Sequence, residues 1–372
     1  MSSTTSAVPT AARKVVITHR SYKQHHKPGV PATKQPHPVH KPLLRYENKQ
    51  PKHSKNGTGT HHLCLDHNLT VFMKKIDKNP FLYPRCPQVH YVWHHIERAL
   101  KSSTGFVMGK IGGTEYHLLR HLAQPDRIFL DKTPHTNSGV YPITRELLRK
   151  WRPIYIKGLQ AMNITVDFHQ GFMKTYCRKE DTHILPDTPD PYGYAIFWPW
   201  YWKRPYTQLF ANKTVLVVSP FSKYVEAQYH TNRTCIFPNR INVLPEFKEL
   251  ITVDAPLPPV VDGDLFNETT YIQAGVNSSF LTNLADLKRK VAAIDYDVML
   301  IGAGSLALPL AAAEKQRGKV IIHLAGNLGP LFGLKGGRFD KRPEYFQHFY
   351  NDCWIHMEKP AAASRMEDSA YW

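Results

Sequence analysis

The chain has 372 residues, 42% of them hydrophobic, which is enough to support a sizeable core. It carries 48 Lys and Arg against 30 Asp and Glu, a formal charge of +18, and no run of 18 apolar residues, which argues against a spanning helix. Residues 1–61 hold eleven of the basic residues and a single acid, Glu47, among many His, Pro, Ser and Thr. Such a stretch cannot bury enough apolar surface to offset its ordering entropy. A disordered basic tail is expected there, offering contact to nucleic acid or another anionic surface. Its start, MSSTTSAVPTAARK, lacks the apolar segment of a secretory signal and fits an organelle transit peptide only in composition. A cytoplasmic location is expected, with organelle targeting by the tail as the alternative.

From residue 62 the pattern changes. VHYVWHHIERALK predicts an amphipathic helix over 87–101, with Val89, Val92, Trp93, Ile96 and Leu100 on one side. His90, His94, His95 and Cys86 have helical spacing, but the interleaved Trp93 and Ile96 favour an ordinary helix over a metal site. A short strand, Phe106–Met108, a glycine-rich turn, Gly109–Gly113, and a helix opening at Thr114 and Glu115 follow, with Thr114 as its N-cap. A helix over 144–157 kinks at Pro153. Residues 187–206 read as a loop whose aromatics serve either as core or as a stacking platform for a sugar or base. Strands are expected at Thr214–Ser219, closed by Pro220, and at Glu249–Val253 before a Pro-rich loop; Leu281–Ile294 reads as a helix.

The most informative stretch comes next. An apolar run, Val298–Ile301, stops at Gly302-Ala303-Gly304; a helical pattern runs to Arg317; Gly318-Lys319 breaks it before a second apolar run, Val320–Leu324. This strand–turn–helix–strand unit predicts an α/β fold, Rossmann-like, with a largely parallel sheet flanked by helices. One domain over 62–356 is expected, with a polar C-terminal tail over 357–372.

Three glycine-rich elements are candidates for the site. The first is the turn with Gly302, Gly304 and Ser305. It has Ala307 at the third position of G-x-G-x-x-G, and the next strand ends in His323-Leu324 instead of an acid, so the ribose carboxylate of an NAD site is missing. The second is the loop Gly326 to Arg338, with Lys335, Gly336 and Arg338. Two such loops at the ends of neighbouring parallel strands offer N–H groups and cations to a phosphate. The third joins Lys110 and Gly112 to Glu115, which is placed to meet a metal–diphosphate or a sugar hydroxyl.

The five cysteines are widely spaced and form no CxxC pair, so neither a disulfide framework nor a zinc ribbon is expected, and a reducing compartment follows. Asn56, Asn68, Asn163, Asn212, Asn232, Asn267 and Asn277 begin N-x-S/T triplets, which are expected to go unused in the absence of a signal sequence.

Three segments together carry a resemblance. GKIGGTE resembles the R-F-G-D-G-E segment of GT-D-type glycosyltransferases, a bacterial group with a Rossmann-like domain and an acidic D-x-E motif that serves a nucleotide-sugar donor. KTVLVVSPFSKYVEAQY and IGAGSLALPLAAAEKQRGKVIIHLAGNLGPLFGLKGGRFD are similar to two blocks of related bacterial and viral surface-polysaccharide biosynthesis proteins. The resemblance spans residues 100–356. In its last block Gly302, Gly304, His323, Gly326, Phe332, Gly333, Lys335, Gly336, Arg338 and Asp340 agree with the pattern, whereas Ala325, Asn327, Gly329, Pro330, Gly337 and Phe339 depart from it. Glu115 matches the second acid of D-x-E, Gly113 stands where the aspartate belongs, and Lys110 replaces the arginine.

The resemblance implies a glycosyltransferase that moves a sugar from a UDP- or GDP-sugar to a glycan or glycoconjugate acceptor. Lys110, Gly112, Gly302, Gly304, Ser305, Gly326, Lys335, Gly336 and Arg338 would hold the donor. Glu115 would either hold a divalent metal, Mn or Mg, together with other acids or bond the donor sugar. The general base is left open among Glu115, His323 and Asp340. A nucleic-acid-binding protein using the basic tail and an inactive relative of the transferases are the alternatives.

Overall fold

The strand segments are almost wholly apolar, VMLI over Val298–Ile301 and VIIH over Val320–His323, as befits strands covered on both faces. In the computed structural model, which describes residues 86–122, 132–166, 172–177, 182–185, 195–360 and 365–372, seven strands form one all-parallel sheet. They are β1 (Phe106–Met108), β2 (Ile164–Val166), β3 (His183–Leu185), β4 (Thr214–Ser219), β5 (Glu249–Asp254), β6 (Val298–Ile301) and β7 (Val320–His323). Side by side they run β3-β2-β1-β7-β6-β4-β5. The described residues all fall in one unit, Thr60–Trp372; the basic tail over 1–61 lies outside them.

Register decides where the loops emerge. β7 pairs with β1 from Phe106↔Val320 to Met108↔Ile322, and with β6 from Val298↔Val320 to Ile301↔His323. β4 meets β6 up to Val218↔Ile301. The ladder continues one residue further, with Gly302 N–H donating to Val218 and Leu324 N–H to Ile301, both at 3.0 Å. The central strands therefore end at one level. The chain leaves β1 toward β2 on one side and β4 toward β5 on the other, so the carboxyl ends of β1, β7, β6 and β4 border a crevice of the kind where ligands bind in open parallel sheets.

Alternation along the strands builds two cores. Val107, Met299, Ile301 and Ile321 pack against the helices Arg145–Gln160, Phe280–Ala292 and Ala307–Gln316. Phe106, Met108, Leu300 and Ile322 pack against the helices Cys86–Ser102 and Ser222–Ile236 and an aromatic block. That block is the expected aromatic loop: from residue 195 onward it is core, with Trp198, Trp200, Trp202 and Tyr206 all buried, while residues 187–194 lie outside the described part. Arg240 Nη2 donates to the Trp202 carbonyl at 2.5 Å and fixes its course.

Local signals account for the helix ends. The Thr144 hydroxyl accepts from Leu147 N–H at 3.1 Å and starts a helix that continues through Pro153 to Gln160. Ser279 and Thr282 form a capping box ahead of Phe280. One helix begins at Gly113, which places Thr114 inside the first turn and not at the cap.

The segment expected as a loop, Gly326 to Arg338, is built instead from short elements. These are the turns Ala325–Asn327 and Leu328–Leu331, β8 (Leu334–Lys335), which pairs with β9 (Ile355–His356), and the turn Gly337–Asp340. The expectation of unpaired cysteines is corrected. Cys235 and Cys353 are disulfide-bonded, 118 residues apart in sequence and 6.1 Å apart at Cα. The bridge ties the end of helix Ser222–Ile236 to the approach to β9. Around it Asn351 Nδ2 donates to the Cys235 carbonyl at 3.0 Å and Gln228 Nε2 to the Cys353 carbonyl at 2.8 Å. No helix among the described residues is long and apolar enough to cross a membrane.

Candidate functional site

The loops after β1, β4, β6 and β7 open into one cavity of about 400 Å³. Lys110, Gly112 and Glu115 enter from β1, Gly302 and Gly304 from β6, and Gly326 from β7, which ends at His323. Lys335 and Arg338 come in from β8 and the turn after it. Both glycine-rich hollows therefore face the same space. Gly302 is what lets them meet: a Cβ there would lie 2.6 Å from the Ala325 carbonyl oxygen, so the two loops pack backbone to backbone.

Glu115 is 6% exposed. Ser305 Oγ donates to its Oε1 at 3.0 Å, and a Cβ on Gly112 would lie 2.1 Å from its Oε2. The turn before the helix thus closes over the carboxylate only because residue 112 has no side chain. Burial raises the Glu115 pKa above the ordinary carboxylate range, while its own backbone N–H and the Ser305 hydroxyl pull it down. The nearby Glu367 charge adds to the rise and Lys110 opposes it. A carboxyl poised in this way is suited to proton transfer.

His323 is 4% exposed, and neither ring nitrogen has a protein partner of good geometry. Burial, and then the Lys110 charge, lower its pKa to about 3. A hydrogen bond with the Lys110 backbone opposes this fall, and the ring is a neutral imidazole, a weak base at neutral pH, with both nitrogens buried.

The cations have neighbours. The Lys335 ammonium stands 5.1 Å from the centre of the Tyr350 ring. Arg338 pairs with the Glu367 carboxylate and lies over Tyr371, 5.0 Å from the ring centre. Glu367 and Tyr371 belong to residues 365–372, which sequence reading assigned to a polar tail and which fold back onto the site. Gly337 N–H donates to the Trp372 carbonyl at 3.0 Å and Arg338 N–H to the Ala370 carbonyl at 2.9 Å. The rings of Tyr371 and Trp372 pack on Phe221.

Of the residues picked out from the sequence, Lys110, Gly112, Glu115, Gly302, Gly304, His323, Gly326, Lys335 and Arg338 line this cavity. Three do not. Ser305 is fully buried behind Glu115. Gly336 lies beneath Tyr371, whose backbone would be 2.8 Å from an added Cβ. Asp340 is on the surface, where it accepts from the Tyr350 hydroxyl at 3.1 Å and stands 3.6 Å from His356, and it is not brought to the other candidate bases. Arg342, Glu367, Tyr371 and Trp372 line the cavity and were not foreseen. Only the Lys341-Arg342 pair just beyond Arg338 gave a hint of this in the sequence.

The donor set bears on the choice between metal and anion. Around Glu115 stand Lys110, Ser305 and the Glu367–Arg338 pair. Among the described residues no group of three or more His, Cys, Asp and Glu comes together. Besides the carboxylates Glu115 and Glu367, the lining carries four cations, Lys110, Lys335, Arg338 and Arg342, a donor set that favours an oxyanion. Compared with family models, with curated proteins and with solved structures, the chain matches none.

Proposed function

We propose that this protein is a glycosyltransferase that moves a sugar from a nucleoside-diphosphate donor to a hydroxyl of a glycan or glycoconjugate. One observation carries the reading. Two backbone-lined turns at the carboxyl ends of β6 and β7 open on the same cavity as Lys110, Lys335, Arg338 and the buried acid Glu115. The amides that follow Gly302 in its turn and the cations hold the diphosphate, Gly302 N–H itself being engaged by Val218. As the acceptor oxygen bonds to the anomeric carbon, the bond from that carbon to the diphosphate breaks. The acceptor proton passes to the Glu115 carboxylate, and Lys335 and Arg338 offset the charge that develops on the departing diphosphate, a task given to a divalent metal in other enzymes. His323, a neutral imidazole with both ring nitrogens buried, does not act as the base.

The test is release of UDP or GDP from a panel of sugar nucleotides by the full chain. Replacing Lys335 or Arg338 by Ala is expected to cut turnover at least about tenfold. Wild-type turnover in both variants, or no nucleotide release with any donor, would overturn the reading.

A further inference from the structure

Seven of the fifteen asparagines begin N-x-S/T triplets, although Ser and Thr make up only 40 of the 372 residues, so random placement gives fewer than two. The expectation that they go unused rested on how the chain begins. The Cys235–Cys353 disulfide is independent of that. It is held in a packed wall by Asn351 and Gln228, and such bonds persist in oxidising compartments, where N-glycosylation also takes place.

We propose that the protein is an N-linked glycoprotein of an oxidising compartment, modified at Asn212, Asn267 and Asn277. The three residues are exposed and sit in loops or at a helix start. Asn212 lies in the turn entering β4, Asn267 is the N-cap of the helix Glu268–Gln273, and Asn277 lies just ahead of the Ser279 cap. None lines the cavity, so sugar chains at these positions leave it open. Asn163 and Asn232 are different. Asn163 is half-buried against β1, its Oδ1 accepting from Val107 N–H at 3.0 Å. The Nδ2 of Asn232, the atom that would carry the sugar, donates to Gln228 Oε1 at 2.7 Å, and Gln228 is buried. Asn56 and Asn68 lie outside the described residues.

In the modification, the amide nitrogen bonds to the anomeric carbon of a lipid-diphosphate-linked oligosaccharide. The carbon–oxygen bond to the diphosphate breaks, the diphosphate leaves with the electron pair, and one amide proton is lost. This proposal does not depend on the transferase reading.

The test uses full chain isolated from the cells that make it. Treatment with a peptide N-glycosidase in heavy-oxygen water converts each glycosylated Asn to an isotopically tagged Asp, which is located by peptide mass spectrometry. Tags at 212, 267 and 277, none at 163 or 232, and a Cys235–Cys353 linked peptide before reduction are expected. An N212Q/N267Q/N277Q variant, altered only at exposed positions, is expected to show a smaller glycosidase-induced mobility shift than wild type, and an equal shift would overturn the proposal. No tag at the three sites, tags at Asn163 or Asn232, or free thiols at Cys235 and Cys353 would overturn the proposal.

Discussion

The hydroxyl of Ser305 donates to the buried carboxylate of Glu115 at 3.0 Å and so joins the turn after β6 to the helix after β1. This bond couples the acid, from behind, to the loop proposed to hold the diphosphate.

Glu115 gives the first prediction. Burial raises its folded pKa above the unfolded value, so the folded state binds this proton more tightly. Its contribution to stability is complete below the ordinary carboxylate pKa and is lost as pH rises through the raised value. Glu115→Gln should therefore gain on wild type as pH rises from about 4 to 8, by roughly a few degrees in Tm, while losing transfer activity. Thermal melts across that range check it; a variant that loses stability relative to wild type as pH rises contradicts the assigned burial.

His323 slopes the other way. Its folded pKa, near 3, lies below the unfolded value, so its contribution is present above about pH 6.5 and is lost as pH falls toward 3. The Tm of wild type should fall faster than that of His323→Asn on acidification. The ring signals in NMR should stay those of a neutral imidazole between pH 5 and 8. A titration centred near 6.5 would show the ring to be solvated.

Arg338 is already paired with Glu367, whose carboxylate would compete with the phosphate of the proposed donor. Glu367→Gln frees the guanidinium and should tighten nucleoside-diphosphate binding about two- to tenfold, whereas Arg338→Ala should weaken it by at least as much. Calorimetric titration separates the two. If Glu367→Gln weakens binding as Arg338→Ala does, the pair serves to build the pocket and does not compete with the ligand.

Gly302→Ala places a methyl group 2.6 Å from the Ala325 carbonyl. Backbone on backbone cannot yield without moving a loop, so a loss of about 1–3 kcal/mol is expected, along with loss of diphosphate binding. Denaturant unfolding and the same titration check it; unchanged values for both would mean the loops can separate freely.

How much of this was legible in sequence depends on where each signal lies. Val298–Ile301 and Val320–His323 are buried on both faces and bounded by glycine, so their apolar runs announced them and the cavity between them. ITV over Ile164–Val166 and HIL over His183–Leu185 are three residues each, too short to stand out from their surroundings. The segment over 365–372 reads as polar by composition, yet Glu367 finds Arg338 and the final aromatics find Phe221, partners set only by the folded chain. Likewise Cys235 and Cys353, 118 residues apart, have no local pattern to mark them. Asp340 entered as a candidate base through the resemblance, but the turn Gly337–Asp340 carries it to the surface.

The most direct test of the account is a thermal-shift series of the full chain with UDP, GDP and the other nucleoside diphosphates, run in parallel on a Lys335→Ala/Arg338→Ala variant. A ligand that binds only the folded state raises Tm. A rise is expected with at least one diphosphate, abolished in the double variant. No rise with any of them, or an equal rise in both proteins, would contradict it.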